Sequence, residues 1–328
     1  MQLKPFNPNA GEYSYPGTSN HSFNILSETL REMRVGNYKY PLRVKFPETI
    51  GLDPWSEDLT DQEKGIIFFE CRENKTYFFR EVLRVYNPGL SEYLPFKIST
   101  ETLGILYAVD NHLEDVWFQA GRQDGKTIWG LGLELHTLLF ETNVTQVYLE
   151  SNRTITEHHF NSMLKKKIIA VPEWLFEAFD YSMSDHLDLV QIADTVLYGG
   201  FEQKAKKNGT ESLHYWPSHD NEVAINQCRS LSPARLTVDN IEHSRHGLAT
   251  WQTQLMASCA ARDCRKKREL PTLTNYYSTD HWHEGSRFQT DMARHLGKSR
   301  AWIMWHPSLL DADYIFPSLM VRKYRSSH

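Results

Sequence analysis

The sequence has 328 residues, a formal net charge of −5 and 40% apolar residues, enough for a substantial core and for one large domain or two small ones, which excludes a disordered tract. The mild acidity does not mark a nucleic-acid binder, although local patches matter more than the sum; the four cysteines, Cys71, Cys228, Cys259 and Cys264, form no C-x-x-C pair and indicate neither a zinc site nor a disulfide framework. No signal-peptide pattern opens the chain, and no apolar run approaches the ~20 residues of a membrane span.

In chain order, residues 1–60 are rich in Asn, Ser, Tyr, Pro and Gly and read as an extended N-terminal arm with one helix at 23–33. Residues 61–115 form a lead-in segment. Within it, 78–85 is a short helix or strand, Asn87-Pro88-Gly89 breaks it, and 100–110 is a helix. A core at 116–312 follows, with strands at 116–119, 144–149, 235–238, 272–278 and 301–305. Its helices are expected at 127–140, 154–169, 188–201, 249–268 and 286–296. Residues 313–328 read as a C-terminal tail. Strand and helix alternate through most of the core, which predicts an α/β fold with a largely parallel central sheet flanked by helices.

Ala120-Gly121-Arg122-Gln123-Asp124-Gly125-Lys126-Thr127 sits between the first core strand and the helix at 127–140. A phosphate-binding loop (P-loop) needs flexible residues whose amides converge on oxygens, a lysine that reaches the outer phosphates, and a Ser or Thr hydroxyl for Mg²⁺. It also needs a helix N-terminus facing the anion. Gly125, Lys126 and Thr127 supply the last positions, and Gly121, Gln123 and Asp124 complete the wrap. Ala120 replaces the usual leading glycine.

Arg122-Gln123-Asp124-Gly125-Lys126-Thr127 resembles the corresponding loop of phage terminase large subunits, which commonly lacks that glycine and carries Arg-Gln before the Gly-Lys-Thr. Three flanking stretches are similar too: Tyr77 to Val85, Phe96-Lys97-Ile98-Ser99, and Ser151-Asn152-Arg153 with the following helix and Pro172-Glu173-Trp174-Leu175. The resemblance implies a P-loop NTPase that uses ATP and Mg²⁺ to drive viral DNA into a procapsid. It implies double-stranded DNA and a portal as partners, a homo-oligomeric ring, and residence in the host cytoplasm. On it, Lys126 and Thr127 hold phosphate and metal, and Arg122 polarises the γ-phosphate.

The family's second element is an apolar strand ending in Asp-Glu. Leu236-Thr237-Val238-Asp239 fits it, with Asp239 in the metal role; Asn240 stands where the water-activating Glu belongs, and Glu242 is the substitute. An alternative reading of this segment is an ordinary strand end. The coupling motif finds only Ser278-Thr279-Asp280, without its proline, and no adenine-contacting Gln precedes the loop. The sequence therefore supports nucleotide binding better than hydrolysis. A degenerate, assembly-only relative is the rival reading, and a helicase-like or kinase-like P-loop enzyme is a third. The residues after the core leave no room for the family's nuclease half; either a separate nuclease chain is a partner, or the protein has no nuclease, or the sequence is part of a longer protein. His281-Trp282-His283-Glu284 lacks a further metal ligand, Ser212 and Ser258 lack a nucleophile signature, and Trp302, Trp305, Tyr314 and Phe316 read as core.

Overall fold

A computed structural model of the chain describes residues 12–121, 123–141, 144–150, 158, 168–177, 181–183, 189–192, 195–203, 212–215, 234–239, 258, 260–270, 272–279, 305–311 and 318–322. The first helix, α1 (His21–Glu32), starts at Asn20, whose side chain accepts from the Ser22 amide. α2 (Asp61–Glu73) starts with a reciprocal Thr60–Glu63 capping box, which satisfies two amide donors that a helix start leaves open. A short α3 (Lys75–Tyr77) runs into a π-helical turn, Phe78–Val82, and then into strand β1 (Arg84–Asn87). β1 pairs antiparallel with β2 (Glu92–Pro95). α4 (Leu103–Asp110) leads to β3 (Asp115–Gln119), the strand before the phosphate-loop motif. α5 (Lys126–Phe140), β4 (Thr145–Glu150), β5 (Ile169–Ala170) and α6 (Trp174–Glu177) follow. Then come β6 (Tyr181–Met183), β7 (Leu189–Ile192), β8 (Thr195–Gln203), β9 (Ser212–Tyr215), β10 (Arg235–Val238), β11 (Asn275–Thr279) and β12 (Ser318–Arg322).

Among the described residues the central sheet has nine strands in the order β12-β3-β11-β10-β4-β8-β7-β6, with β9 also on β8. From β12 to β8 every pairing is parallel. β6, β7 and β9 extend the β8 side by antiparallel pairing. A second, three-stranded sheet is ordered β2-β1-β5. The fold is α/β, with a largely parallel sheet flanked by helices, as the alternation of elements predicts.

α5 is the hub. Apart from its first turn it is buried along almost its whole length, and its leucines, Trp129 and Phe140 join one apolar core with Phe23, Leu26 and Leu30 of α1 and with Phe78 and Phe79. Gly132 allows the closest approach: a Cβ there would come 2.8 Å from the Phe79 ring. The arm is held by directional bonds as well. Asn20 Nδ2 donates to the carbonyls of Arg80 and Phe96, at 2.9 and 2.8 Å. Arg43, Tyr40 and Thr76 all donate to Asp110 at the end of α4.

Several elements differ from the sequence reading; the helix read over 154–169, for one, meets strand β5 at Ile169. Residues 188–201 read as a helix but form β7 and β8, because the spacing of Leu189, Ile192 and Val196 imitates a helical face while Thr, Val and Tyr favour the extended chain. Ser318–Arg322, within the stretch read as a tail, is a strand that pairs with β3. The helix expected at 286–296 and residues 301–304 of the strand expected at 301–305 lie outside the described residues. Trp305 is packed on Tyr107 and its Nε1 donates to the Thr100 carbonyl at 2.8 Å, a core role.

Candidate functional site

The site lies at the carboxyl ends of the parallel strands, where ligands of open α/β sheets bind. β3 ends at Gln119, and the Ala120 amide donates to the Thr279 carbonyl at 3.1 Å, continuing the ladder for one more residue. The chain then turns and enters α5 at Lys126. Positive φ occurs at Gln123 (68°) and Gly125 (83°), not at Ala120 or Gly121. That accounts for Ala120: its backbone has no need of glycine, whereas Gly125 occupies the left-handed region where a Cβ is unfavourable.

Lys126 turns inward and is only 7% exposed. Its Nζ donates to the carbonyls of Ala120 (3.1 Å) and Gly121 (2.9 Å), so the ammonium sits inside the curl of its own loop. Its own carbonyl accepts from the Tyr276 hydroxyl at 2.9 Å, which ties the first turn of α5 to β11. Burial, and then the nearby Asp239 carboxylate, hold the Tyr276 phenol well above its ordinary pKa, so it stays a donor.

Thr127 Oγ1 donates to Asp239 Oδ2 at 2.5 Å. Asp239, just past β10, is 2% exposed. It also accepts from the Tyr148 hydroxyl at 3.3 Å and from Ser278 Oγ. Four strand ends, β3 through its loop, β4, β10 and β11, thus converge on one carboxylate. A hydroxyl and a carboxylate side by side are hard oxygen donors, the kind Mg²⁺ prefers, so the residues present fit that ion. Neither Tyr148 nor the Ser278 contact was found by sequence reasoning. Both depend on strand order, which places β11 between β3 and β10 and β4 beyond β10.

Beneath the site, alternate residues of β10 bond to α5 in sequence. Asp239 meets Thr127, Thr237 Oγ1 donates to Glu134, and Arg235 Nη1 donates at 2.7 Å to both the Leu133 carbonyl and Thr137 Oγ1. Arg235 Nε also donates to the Thr274 carbonyl at 3.1 Å. Burial pushes the Glu134 carboxyl up to about 7, against the opposing pull of Arg235 and of the Thr237 bond. The polar alternation Arg235, Thr237, Asp239 in a buried strand was the available signal for this ladder.

Beside the loop is a cavity of about 660 Å³. The β1–β2 hairpin and residues 96–99 form one wall; Gln123, Asp124, Gly125, Ile128 and Trp129 form the other. Trp129 is fixed by stacking on Phe79 at 5.0 Å and by an edge contact with Phe96 at 4.7 Å.

Of the sequence-predicted site residues, Gly121, Gln123, Asp124, Gly125, Lys126 and Thr127 lie together in the loop and the first turn of α5, and Asp239 joins Thr127. Arg122, Asn240, Glu242, Asp280 and residues 281–284 lie outside the described residues. Among the described residues, no group of three or more His, Cys, Asp or Glu is arranged to hold a metal, and no helix is long and apolar enough to cross a membrane.

No protein-family model and no curated protein matches the sequence. Among solved structures the chain is similar to the large terminase ATPase domain of Thermus phage P74-26, at 11% identity and a TM-score of 0.44. The match covers 73% of this chain and 86% of that one.

Proposed function

We propose that the chain binds Mg·ATP in the loop at 120–127 and hydrolyses it as a motor subunit for viral DNA packaging, in the manner of a terminase large subunit. The observation that carries the nucleotide reading is the convergence of Lys126, Thr127 and Asp239 at the carboxyl edge of the parallel sheet, where α5 presents its N-terminus. The packaging role is supported by the Arg122-Gln123 sequence ahead of Gly125-Lys126-Thr127.

On this reading Lys126 exchanges its loop carbonyls for the outer phosphate oxygens. Thr127 and Asp239 would hold Mg²⁺, whose charge would offset the negative charge of the transferring phosphoryl group. Ser278 and Tyr148 keep the Asp239 carboxylate turned toward Thr127. Arg122 contributes a second positive charge to the γ-phosphate, and Glu242 accepts the proton of the attacking water, the amide of Asn240 being unable to do so. The cavity beside Trp129 would take the base. Double-stranded DNA, a portal, further copies of this chain in a ring and a separate nuclease chain are the partners of this reading, and the host cytoplasm is its setting.

The test is steady-state ATP turnover by the purified protein, alone and with DNA and procapsids. Turnover that Lys126→Ala reduces at least about a hundredfold is the expected result, since that change removes a charge the transition state needs. Mg·ATP binding that needs Lys126, with no turnover under any condition, would leave the binding site and remove the motor; Asn240→Glu then asks whether the missing acid is the reason. Absence of any Lys126-dependent nucleotide binding would end the reading altogether.

A further inference from the structure

The helix that receives the proposed phosphates starts without a cap of its own. Gly125 stands at the N-cap of α5, where it has no side-chain oxygen for the first amides. Lys126, Thr127, Ile128 and Trp129 bring no acid into the first turn. Amides left open at a helix start are what an anion needs. They also leave the turn prone to fray, because capping bonds ordinarily hold it wound. Before an anion binds, something else must hold this turn.

Tyr276 supplies that hold from the carbonyl side. Its hydroxyl donates to the Lys126 carbonyl at 2.9 Å, a grip on the first residue of the helix that uses none of the amides. The residue is fully buried, and β11 is fixed on both edges, Tyr276 pairing in register with Val116 of β3 and with Thr237 of β10. Two residues on, on the same face of the strand, Ser278 donates to Asp239. One face of one strand thus locates both the backbone of Lys126 and the carboxylate that meets Thr127.

Gly130, one turn into α5, makes the approach possible. A Cβ there would lie 3.3 Å from Thr237 Cγ2 and 3.4 Å from Tyr276 Cε1. Glycine inside a helix is unfavourable relative to alanine, because it has more backbone freedom to lose. The room it leaves for the Tyr276 ring accounts for its place here.

We propose that Tyr276 is a positioning residue for the triphosphate. Acting through the Lys126 carbonyl, it keeps the uncapped first turn of α5 wound before the ligand binds, and Gly130 leaves room for its ring. The inference rests on the triphosphate reading above and adds to it the source of the site's pre-organisation.

Calorimetric titration of the full chain with Mg²⁺ and ATP or inorganic tripolyphosphate tests it, together with amide hydrogen exchange of the ligand-free protein. Tyr276→Phe should weaken both ligands by a common factor of about three- to tenfold, the net contribution of one hydrogen bond. The Trp129 amide, which donates to the Gly125 carbonyl at 3.0 Å, should exchange faster by a similar factor, while amides of residues 133–139 keep their wild-type rates. A tyrosine with a merely structural role would change global stability and leave this local pattern and both affinities alone. Gly130→Ala should also weaken both ligands, and do so less when combined with Tyr276→Phe, since the two changes break the same contact. Wild-type affinities in Tyr276→Phe, or wild-type exchange at Trp129, overturn the inference; losses that simply add in the double variant overturn the part given to Gly130. If the wild-type protein binds neither ligand through Lys126, the triphosphate reading falls and this inference with it, a result distinct from binding that Tyr276→Phe leaves untouched.

Discussion

α5 presents two unlike faces. Toward β10 it is polar: Thr127, Glu134 and Thr137 meet Asp239, Thr237 and Arg235 through bonds of defined direction. Toward the lead-in segment it is mostly apolar: Trp129, Gly132, His136 and Phe140 meet Phe78, Phe79, Leu83 and Phe96 through ring contacts and close packing, with His136 Nε2 also 2.9 Å from the Cys71 carbonyl. Packing fixes a helix against its neighbours but tolerates some sliding; buried hydrogen bonds do not, because each donor left over costs about 1–3 kcal/mol. The polar face therefore sets the axial position of Thr127 against Asp239, and the apolar face supplies most of the stability.

The largest effect is expected on the polar face. Arg235→Met strips three carbonyl and hydroxyl acceptors of their donor and leaves Glu134 without its cation, a loss of about 4 kcal/mol by urea unfolding. On the apolar face, Phe78→Ala should cost about 3 kcal/mol, with Mg·ATP affinity of the folded fraction unchanged. An equal loss of affinity in this variant would erase the distinction between the faces.

Glu134→Gln probes the polar face through pH. The folded protein keeps the Glu134 carboxyl protonated up to about 7, against an ordinary value of 4.5. Folding thus takes up a proton between those limits, and wild-type stability falls as pH rises from about 4.5 through 7. Unfolding curves at pH 5, 6, 7 and 8 should show that decline in the wild type, on the order of 2 kcal/mol, and its absence in the glutamine variant. The smallest effect is expected of Gly132→Ala, where helix propensity gains about 1 kcal/mol and the new Cβ, 2.8 Å from the Phe79 ring, costs somewhat more. A net loss of about 1 kcal/mol in thermal unfolding is the forecast; a stabilised variant would mean that the ring can move aside.

The parts legible in the sequence were local. The strand, loop and helix around Gly125-Lys126-Thr127 announce themselves because turn, charge and apolar run are contiguous. β10 did so because four buried residues lead to an acid. Strands β7 and β8 were misread since three apolar residues at helical spacing fit either period, and pairing with β4 decided the matter. β12 was missed because its Leu319-Met320-Val321 run is short and sits among basic residues and serines. Ser278 was noticed as a fragment of a motif, but its bond to Asp239 exists only once β11 lies beside β10.

β3 is enclosed on both edges by strands from the far end of the chain, β11 and β12. As the polypeptide emerges during synthesis, β3 and its loop must wait, unpaired, until the sequence through β11 and β12 has followed. An exposed parallel strand of buried residues is a hazard for aggregation over that interval. The same delay means that an unfinished chain cannot bring Ser278 to Asp239, so on the proposed reading a stalled product would be inert rather than partly active.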